Sequence, residues 1–306
     1  MTSHVRPIEE RRLTGIAFMI IGYFCFTVID SCAKWLTLYG GLPTGEVVFV
    51  RYAGQLLLVV AVFAPTRGVE LVRTRSPWLE IIRALCLLGS TAVNFLALKF
   101  LPLTVTGSIA FTMPLILCAV SIPLLGEQVG WRRWMAIIVG FIGVLIIVRP
   151  GTAAFHPAIF LSLTGAVFTA FYLLLTRKLA GVDSTTTQQF YAGLVATICV
   201  ADFAIGGWTW PPDLASWFCF GLIGTAALVG HQFLTTAHRF APASVLAPFG
   251  YLQIIFMVTS SWLIFNQPPD VWIFIGAPIV IGSGLYIWVR ERQLSRSVVT
   301  EVAPQA

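Results

Sequence analysis

Charge is scarce in this chain. Only 10% of its 306 residues are Asp, Glu, Lys or Arg, whereas 58% are hydrophobic and the mean hydropathy is +0.87. A soluble domain carries roughly 25% charged and about 45–50% apolar residues, so this chain lacks the polar side chains that would cover a water-facing surface. That shortage identifies a membrane protein. Basic stripes with interleaved aromatics are also missing, so the net charge of +6 does not point to nucleic acid. Paired cysteines are absent: Cys25, Cys32, Cys86, Cys118, Cys199 and Cys219 lie singly inside apolar stretches and read as small core residues. The histidines His4, His156, His231 and His238 fall on separate segments, with no H-E-x-x-H pattern, and no G-x-x-x-x-G-K-[ST] loop occurs. A membrane hydrolase and an ATP-driven pump are thereby disfavoured, and no catalytic group, cofactor or metal is expected. Nor does the chain read as a signal peptide followed by a soluble domain, because apolar spans recur to residue 289.

Hydrophobic runs are what the chain has instead. A helix needs about 20 apolar residues to cross the hydrocarbon core. Breaking the sequence at its polar, Gly and Pro clusters predicts ten spans: 13–38, 45–64, 78–98, 103–125, 131–149, 157–177, 186–206, 214–236, 242–265 and 270–289. Residues 1–12 and 291–306 are then short tails, the second featureless. With the N-terminus inside, 14 of the 19 Lys and Arg fall in inside segments, two (Lys99, Arg149) in outside loops and three (Lys34, Arg51, Arg83) within spans. Cytoplasmic loops carry the excess of basic residues, so both termini are placed on the cytoplasmic side.

The chain also repeats itself. LKFLPLTVTGS from Leu98 matches HRFAPASVLAP from His238, aligning Phe100 with Phe240, Pro102 with Pro242 and Val105 with Val245. LLGEQVGW from Leu124 corresponds to IFNQPPDVW from Ile264, after which Gly143 meets Gly284 and Val148 meets Val289. LTG at Leu13 recurs at Leu163. The unit is five helices, residues 13–150 and 155–290. Because five is odd, the second unit enters the membrane upside down relative to the first. The expected fold is therefore an all-α membrane protein of ten transmembrane helices in two inverted five-helix repeats. Inverted repeats place a solute site near the midplane between the halves and support alternating access, which predicts a secondary transporter. A receptor or scaffold would usually add a long tail or soluble domain.

A Pro opening the fourth helix of each repeat (Pro102, Pro242), the mid-helix Pro114, the pair Gly126–Glu127 closing that helix, and the small-residue stretch GFIGVLIIVRPG from Gly140 resemble the drug/metabolite transporter superfamily, and within it the EamA-type permeases, over roughly residues 13–290. In the second repeat Asn266 and Gln267 stand where the pattern has Gly and Glu. The resemblance implies a bacterial inner-membrane permease, monomeric or homodimeric, for a small organic solute. Family members move amino acids, sugars, nucleotide sugars, riboflavin and S-adenosylmethionine. The D-x-x-x-K pair of helix 1 looks like the vitamin and cofactor uptake branch, with riboflavin the first expectation and amino-acid export the second.

Ionisable residues within spans are functional candidates, because each is costly unless it faces a partner or a wet cavity. Asp30 and Lys34 lie four apart on one face of helix 1, and Arg51 on helix 2 lies at similar depth. Two readings fit: a cluster that greets an anionic or strongly polar solute group, or a structural ion network. His231 and Gln232 on helix 8 form a polar face, while Asp202 reads as interfacial. Asn94, Phe111, Tyr172, Gln188, Tyr191, Tyr251 and Gln253 are placed where a central cavity is lined. Arg83 and Glu80, near the start of helix 3, are expected to snorkel to the interface. Small-residue pairs, Ala136/Gly140, Ala166/Ala170 and Ala226/Gly230, predict helix contacts, and Gly140 and Gly143, with Gly282 and Gly284 in the matching region, are expected to form the equivalent close contact in both halves.

Overall fold

A computed structural model describes residues 8–113, 115–117, 119–120, 131–152, 155–179, 182–241 and 246–302. The expectations that rest on Cys118, Pro114, Gly126, Glu127 and Pro242 lie outside them. Among the described residues the chain forms ten α-helices: α1 (Ile8–Leu38), α2 (Thr44–Arg67), α3 (Pro77–Leu98), α4 (Leu103–Ala110), α5 (Trp131–Val148), α6 (Ile159–Leu179), α7 (Thr185–Ile205), α8 (Leu214–Phe240), α9 (Gln253–Leu263) and α10 (Val271–Val302). A 3-10 turn follows α2 (Gly68–Leu71) and another precedes α9 (Ala247–Leu252). Local chemistry sets several ends. Pro77 occupies the first position of α3, and the side chains of Ser184 and Asp213 cap α7 and α8 by accepting from Thr187 N and Ser216 N.

Five stretches are long and apolar enough to cross a bilayer: Arg12–Leu38, Thr44–Leu71, Pro77–Leu98, Ile159–Thr176 and Leu214–Phe240. The distribution of polarity is inverted relative to a soluble protein. Leu57, Val62, Trp78, Phe141, Ile198 and Phe218 point outward, whereas Lys34, Glu46, Arg51, Gln55, Glu80 and Arg83 are buried. Hydrocarbon outside and protein inside is the arrangement in which those polar groups find partners. This is a multi-pass helical membrane protein.

Three expectations about elements change. The span predicted over 103–125 begins as a helix of only eight residues, which gives way to a turn at Phe111. Within the described part of the span predicted over 242–265, the 3-10 turn Ala247–Leu252, which contains Pro248, precedes the α-helix that begins at Gln253. The expected tail at 291–306 is helical through Val302, since no Gly or Pro interrupts the sequence before Pro304.

The major packing pairs follow a pattern. Helix α1 lies on α8 and α3 on α6; α2 meets both α7 and α8, and α3 meets α7; α4 lies on α9, α5 on α10; α1 also touches α9 and α4 touches α6. Helices α2 and α8 cross backbone to backbone: a Cβ placed on Gly224 would stand 2.9 Å from Gly54 Cα. The crossing of α5 and α10 is similar: a Cβ placed on Gly143 would stand 3.0 Å from Gly276 O, and one on Gly276 2.6 Å from Gly143 O. A Cβ on Gly282 would meet nothing within 4 Å, and Gly282 lines a cavity of about 360 Å³ with Trp131, Arg132, Met135, Val139 and Tyr286.

Candidate functional site

Helix α1 carries Asp30 and Lys34 inward, but the two do not pair. Lys34, 1% exposed, donates from Nζ to the Leu101 carbonyl at 2.5 Å and lies 5.4 Å from the centre of the Phe265 ring. Leu101 sits in the turn before α4, where a main-chain carbonyl needs an external donor. That contact, and not the i,i+4 attraction to Asp30, engages the Lys34 ammonium. Asp30 is half-buried and accepts a hydrogen bond from Asn94 Nδ2 of α3 at 3.0 Å. Among the described residues it forms no ion pair with either cation.

Arg51 projects from the second turn of α2 and is 4% exposed. Its guanidinium carbon lies 4.0 Å from the centre of the Tyr52 ring, and the Tyr52 hydroxyl is held by Thr91 Oγ1 at 2.9 Å. Among the described residues Nε and Nη1 of Arg51 have no hydrogen-bond partner. Asp30, Arg51 and His231 are carried by α1, α2 and α8, which pack on one another. His231 sets its ring edge-on to Phe26 with centroids 5.0 Å apart, and its Nε2 is unpartnered. The next residue, Gln232, accepts from Gln189 Nε2 of α7 at 3.2 Å, while Gln189 Oε1 has no partner. Beside this group Phe111 and Tyr251 face each other, ring centroids 5.3 Å apart, at the interruptions of α4 and α9. Gln253 is half-buried at the first residue of α9.

Other predicted residues lie elsewhere. Tyr172 belongs to a second polar cluster at the far end of α3, built on Arg83. Contrary to the snorkelling expectation, Arg83 is 4% exposed; it donates to Thr176 Oγ1 at 2.8 Å, to the Gln188 carbonyl at 3.2 Å, to the Tyr172 hydroxyl at 3.1 Å and to Glu80 at 3.4 Å. The start of α3 is covered there by the end of α6 and the start of α7, so Arg83 has protein on every side. Its depth relative to Thr176 on an oppositely directed helix was the available signal. Tyr191 donates to the Val72 carbonyl at 2.9 Å, beside the turn that follows α2, and does not face Asp30 or Arg51. Asp202 is exposed, as its interfacial reading implied. The Arg83 end is tied by Asp183, which accepts from Thr74 Oγ1 at 2.5 Å and Arg75 N at 3.0 Å. At the opposite end Glu46 Oε2 accepts from Thr209 N at 3.0 Å, and Arg149 pairs with Asp270 beside a cavity of about 170 Å³. Neither this cavity nor the one beside Gly282 contains Asp30, Arg51 or His231. Among the described residues no cluster of His, Cys, Asp or Glu has a metal-binding arrangement.

A sequence model of the EamA-like transporter family matches residues 13–149 and again residues 156–289. The chain belongs to the EamA-like transporter family. The transporter is 27% identical to an S-adenosylmethionine uptake transporter of Rickettsia prowazekii, the alignment covering 92% of this chain and 94% of that protein. It is 28% identical to a riboflavin transporter of Vibrio cholerae, over 94% and 97% of the two chains, and 26% identical to a pseudopaline exporter of Pseudomonas aeruginosa, over 88% and 93%. One crystal structure superimposes with a TM-score of 0.62, covering 94% of this chain and 99% of its own at 18% identity, a likeness of fold. The transporter thus handles a small metabolite, and its interior polar groups are the place to look for how.

Proposed function

We propose that this transporter works by alternating access of two inverted five-helix halves, α1–α5 and α6–α10, and takes up a vitamin- or cofactor-like solute of the class that includes riboflavin and S-adenosylmethionine. Both termini are cytoplasmic and the membrane is the bacterial inner membrane. The observation that carries this reading is the exchange pattern of helix contacts. If α1 to α5 are equivalent to α6 to α10, the α1–α8 contact maps onto α6–α3, α2–α8 onto α7–α3, and α1–α9 onto α6–α4, and all of these are made. The pairs α2–α7, α4–α9 and α5–α10 map onto themselves. A two-fold relation between the halves requires this.

Phe111 and Tyr251 add support from single residues. They stand 140 positions apart, the offset of the sequence repeat, and touch each other. Equivalent residues of two related halves meet only beside the axis that relates them. Both rings sit where the fourth helix of a half is interrupted, the type of broken helix found at solute sites of inverted-repeat transporters. Asp30, Arg51 and Asn94 come from one half and His231, Gln189 and Gln232 from the other, so rocking the halves would alter their mutual access. Similarity to the S-adenosylmethionine uptake transporter over nearly the whole chain supports uptake, and similarity to the pseudopaline exporter favours export as the second reading. The test is accumulation of labelled riboflavin and S-adenosylmethionine by proteoliposomes, with and without a pH gradient, beside a whole-cell assay. Entry into cells supports uptake. Loss of preloaded solute from expressing cells with no gain in entry favours export.

A further inference from the structure

The crossing of α5 and α10 is tight at its centre and open on one flank. A Cβ on Gly140 would stand 2.5 Å from Ser283 Oγ, whereas one on the neighbouring Gly282 would meet nothing within 4 Å. Gly143 packs on Gly276 and Gly140 on Ser283, so the two helices run antiparallel and the start of α5 lies beside the later turns of α10. There the flank forms the groove of about 360 Å³ lined by Trp131, Arg132, Met135, Val139, Gly282 and Tyr286. The apolar stretch of α5 is Trp134–Val148 and that of α10 is Val271–Ile287, so the groove straddles the level at which both helices stop being apolar. Met135, Val139 and Gly282 lie on the hydrocarbon side of that level, Tyr286 in the last apolar turn, and Trp131 and Arg132 beyond it. Arg, Trp and Tyr are the side chains that settle among lipid headgroups.

The groove is far larger than the roughly 10–15 Å³ that lodges one water, and within a bilayer a groove open to hydrocarbon is filled by lipid. Charge selects which lipid. Arg132 is exposed, forms no ion pair among the described residues, and has its guanidinium carbon 5.8 Å from the centre of the Trp131 ring. No acid is among the residues that line the groove. We propose that the groove binds one anionic phospholipid, its phosphate at Arg132 and an acyl chain along Met135, Val139 and Gly282. A second copy of the chain fits less well, since a two-fold contact through this face would bring two Arg132 side chains into one interface with no acid from the groove to offset them. Because α5 and α10 come from opposite halves, the lipid lies across the seam between them. The choice of leaflet rests on the cytoplasmic termini proposed above, which place Arg132 on the inner side, where anionic lipids attract basic residues.

Native mass spectrometry of the purified full-length transporter in detergent micelles tests this, with phosphatidylglycerol and phosphatidylcholine of matched acyl chains as probes. Wild type should retain phosphatidylglycerol about fivefold better, the effect of one basic residue near a lipid surface. Arg132→Gln should bring that ratio close to one. Gly282→Leu places a side chain in the open groove without meeting the protein, and should cost the transporter its retained lipid of either kind. Equal retention of the two lipids by wild type overturns the proposal, as does an unchanged preference in Arg132→Gln or unchanged retention in Gly282→Leu. So does displacement of the lipid by glycerol phosphate at matched concentration, which marks an anion site without acyl contact, or a dimer that Gly282→Leu splits, which marks a second copy as the occupant. The wild-type comparison decides even where a variant fails to fold. Failure of the topology reading would look different: cysteine labelling would find the termini outside, with phosphatidylglycerol still preferred.

Discussion

Replacing Gly224 by Ala should destabilise the transporter, while the same change three residues earlier, at Gly221, should not. Both glycines lie on α8, so the gain in helix propensity, about 0.5–1 kcal/mol from Gly to Ala, enters both variants and cancels in their difference. What does not cancel is space. A Cβ at Gly224 would stand 2.9 Å from the Cα and carbonyl carbon of Gly54 and 3.0 Å from Gln55 N, whereas one at Gly221 meets nothing within 4 Å. Comfortable carbon contacts begin near about 3.5 Å, so roughly half an ångström must be found, and backbone atoms of α2 cannot rotate aside. Overpacking of this kind costs about 1–3 kcal/mol. The Gly224 variant should therefore unfold at lower denaturant than the Gly221 variant by that difference, followed by tryptophan fluorescence in detergent. Because α2 and α8 belong to opposite halves, uptake should fall for Gly224→Ala and persist for Gly221→Ala. Coincident unfolding of the two variants would refute the close crossing.

Lys34→Met strips the Leu101 carbonyl of its donor and should lower the thermal midpoint, a buried unsatisfied carbonyl costing about 1–3 kcal/mol, with solute affinity unchanged in the same preparation. Tyr191→Phe should leave uptake intact, since its hydroxyl only reaches the Val72 carbonyl, whereas Tyr172→Phe should reduce stability by about 1 kcal/mol through the lost Arg83 contact; paired uptake and unfolding measurements separate the two. Asp270→Asn breaks the pair with Arg149, but at 42% exposure of the acid the effect should stay within about 1 kcal/mol and shrink further in high salt.

The helical inventory was legible because hydrophobic run length and punctuation are local quantities. Ten runs became ten helices among the described residues, though the break after Ala110 in the fourth was not foreseen. The site was legible in part. Depth along oppositely directed helices put Asp30 and Arg51 at one level, but it could not choose partners: Lys34 took a loop carbonyl and Asp30 took Asn94. Arg83 was misjudged because distance from a helix start says nothing about whether two other helices cover that start. Alignment of the two repeats could not say which aligned residues meet: Phe111 and Tyr251 touch, whereas Gly143 packs on Gly276 and not on its aligned partner Gly284.

Composition and periodicity alone determined that this is a helical membrane protein built from two related halves, because too few charges exist for a water-facing surface and the pattern of each half recurs. Which interior charges are satisfied was decided only by the tertiary structure. Sequence spacing offers Lys34, Arg51 and Arg83 as equals; packing gives Lys34 and Arg83 acceptors from neighbouring segments and leaves Nε and Nη1 of Arg51 without one among the described residues. Hydrogen-bond satisfaction depends on which backbone turns and side chains arrive from elsewhere in the chain, a property of the assembled bundle and not of any one helix.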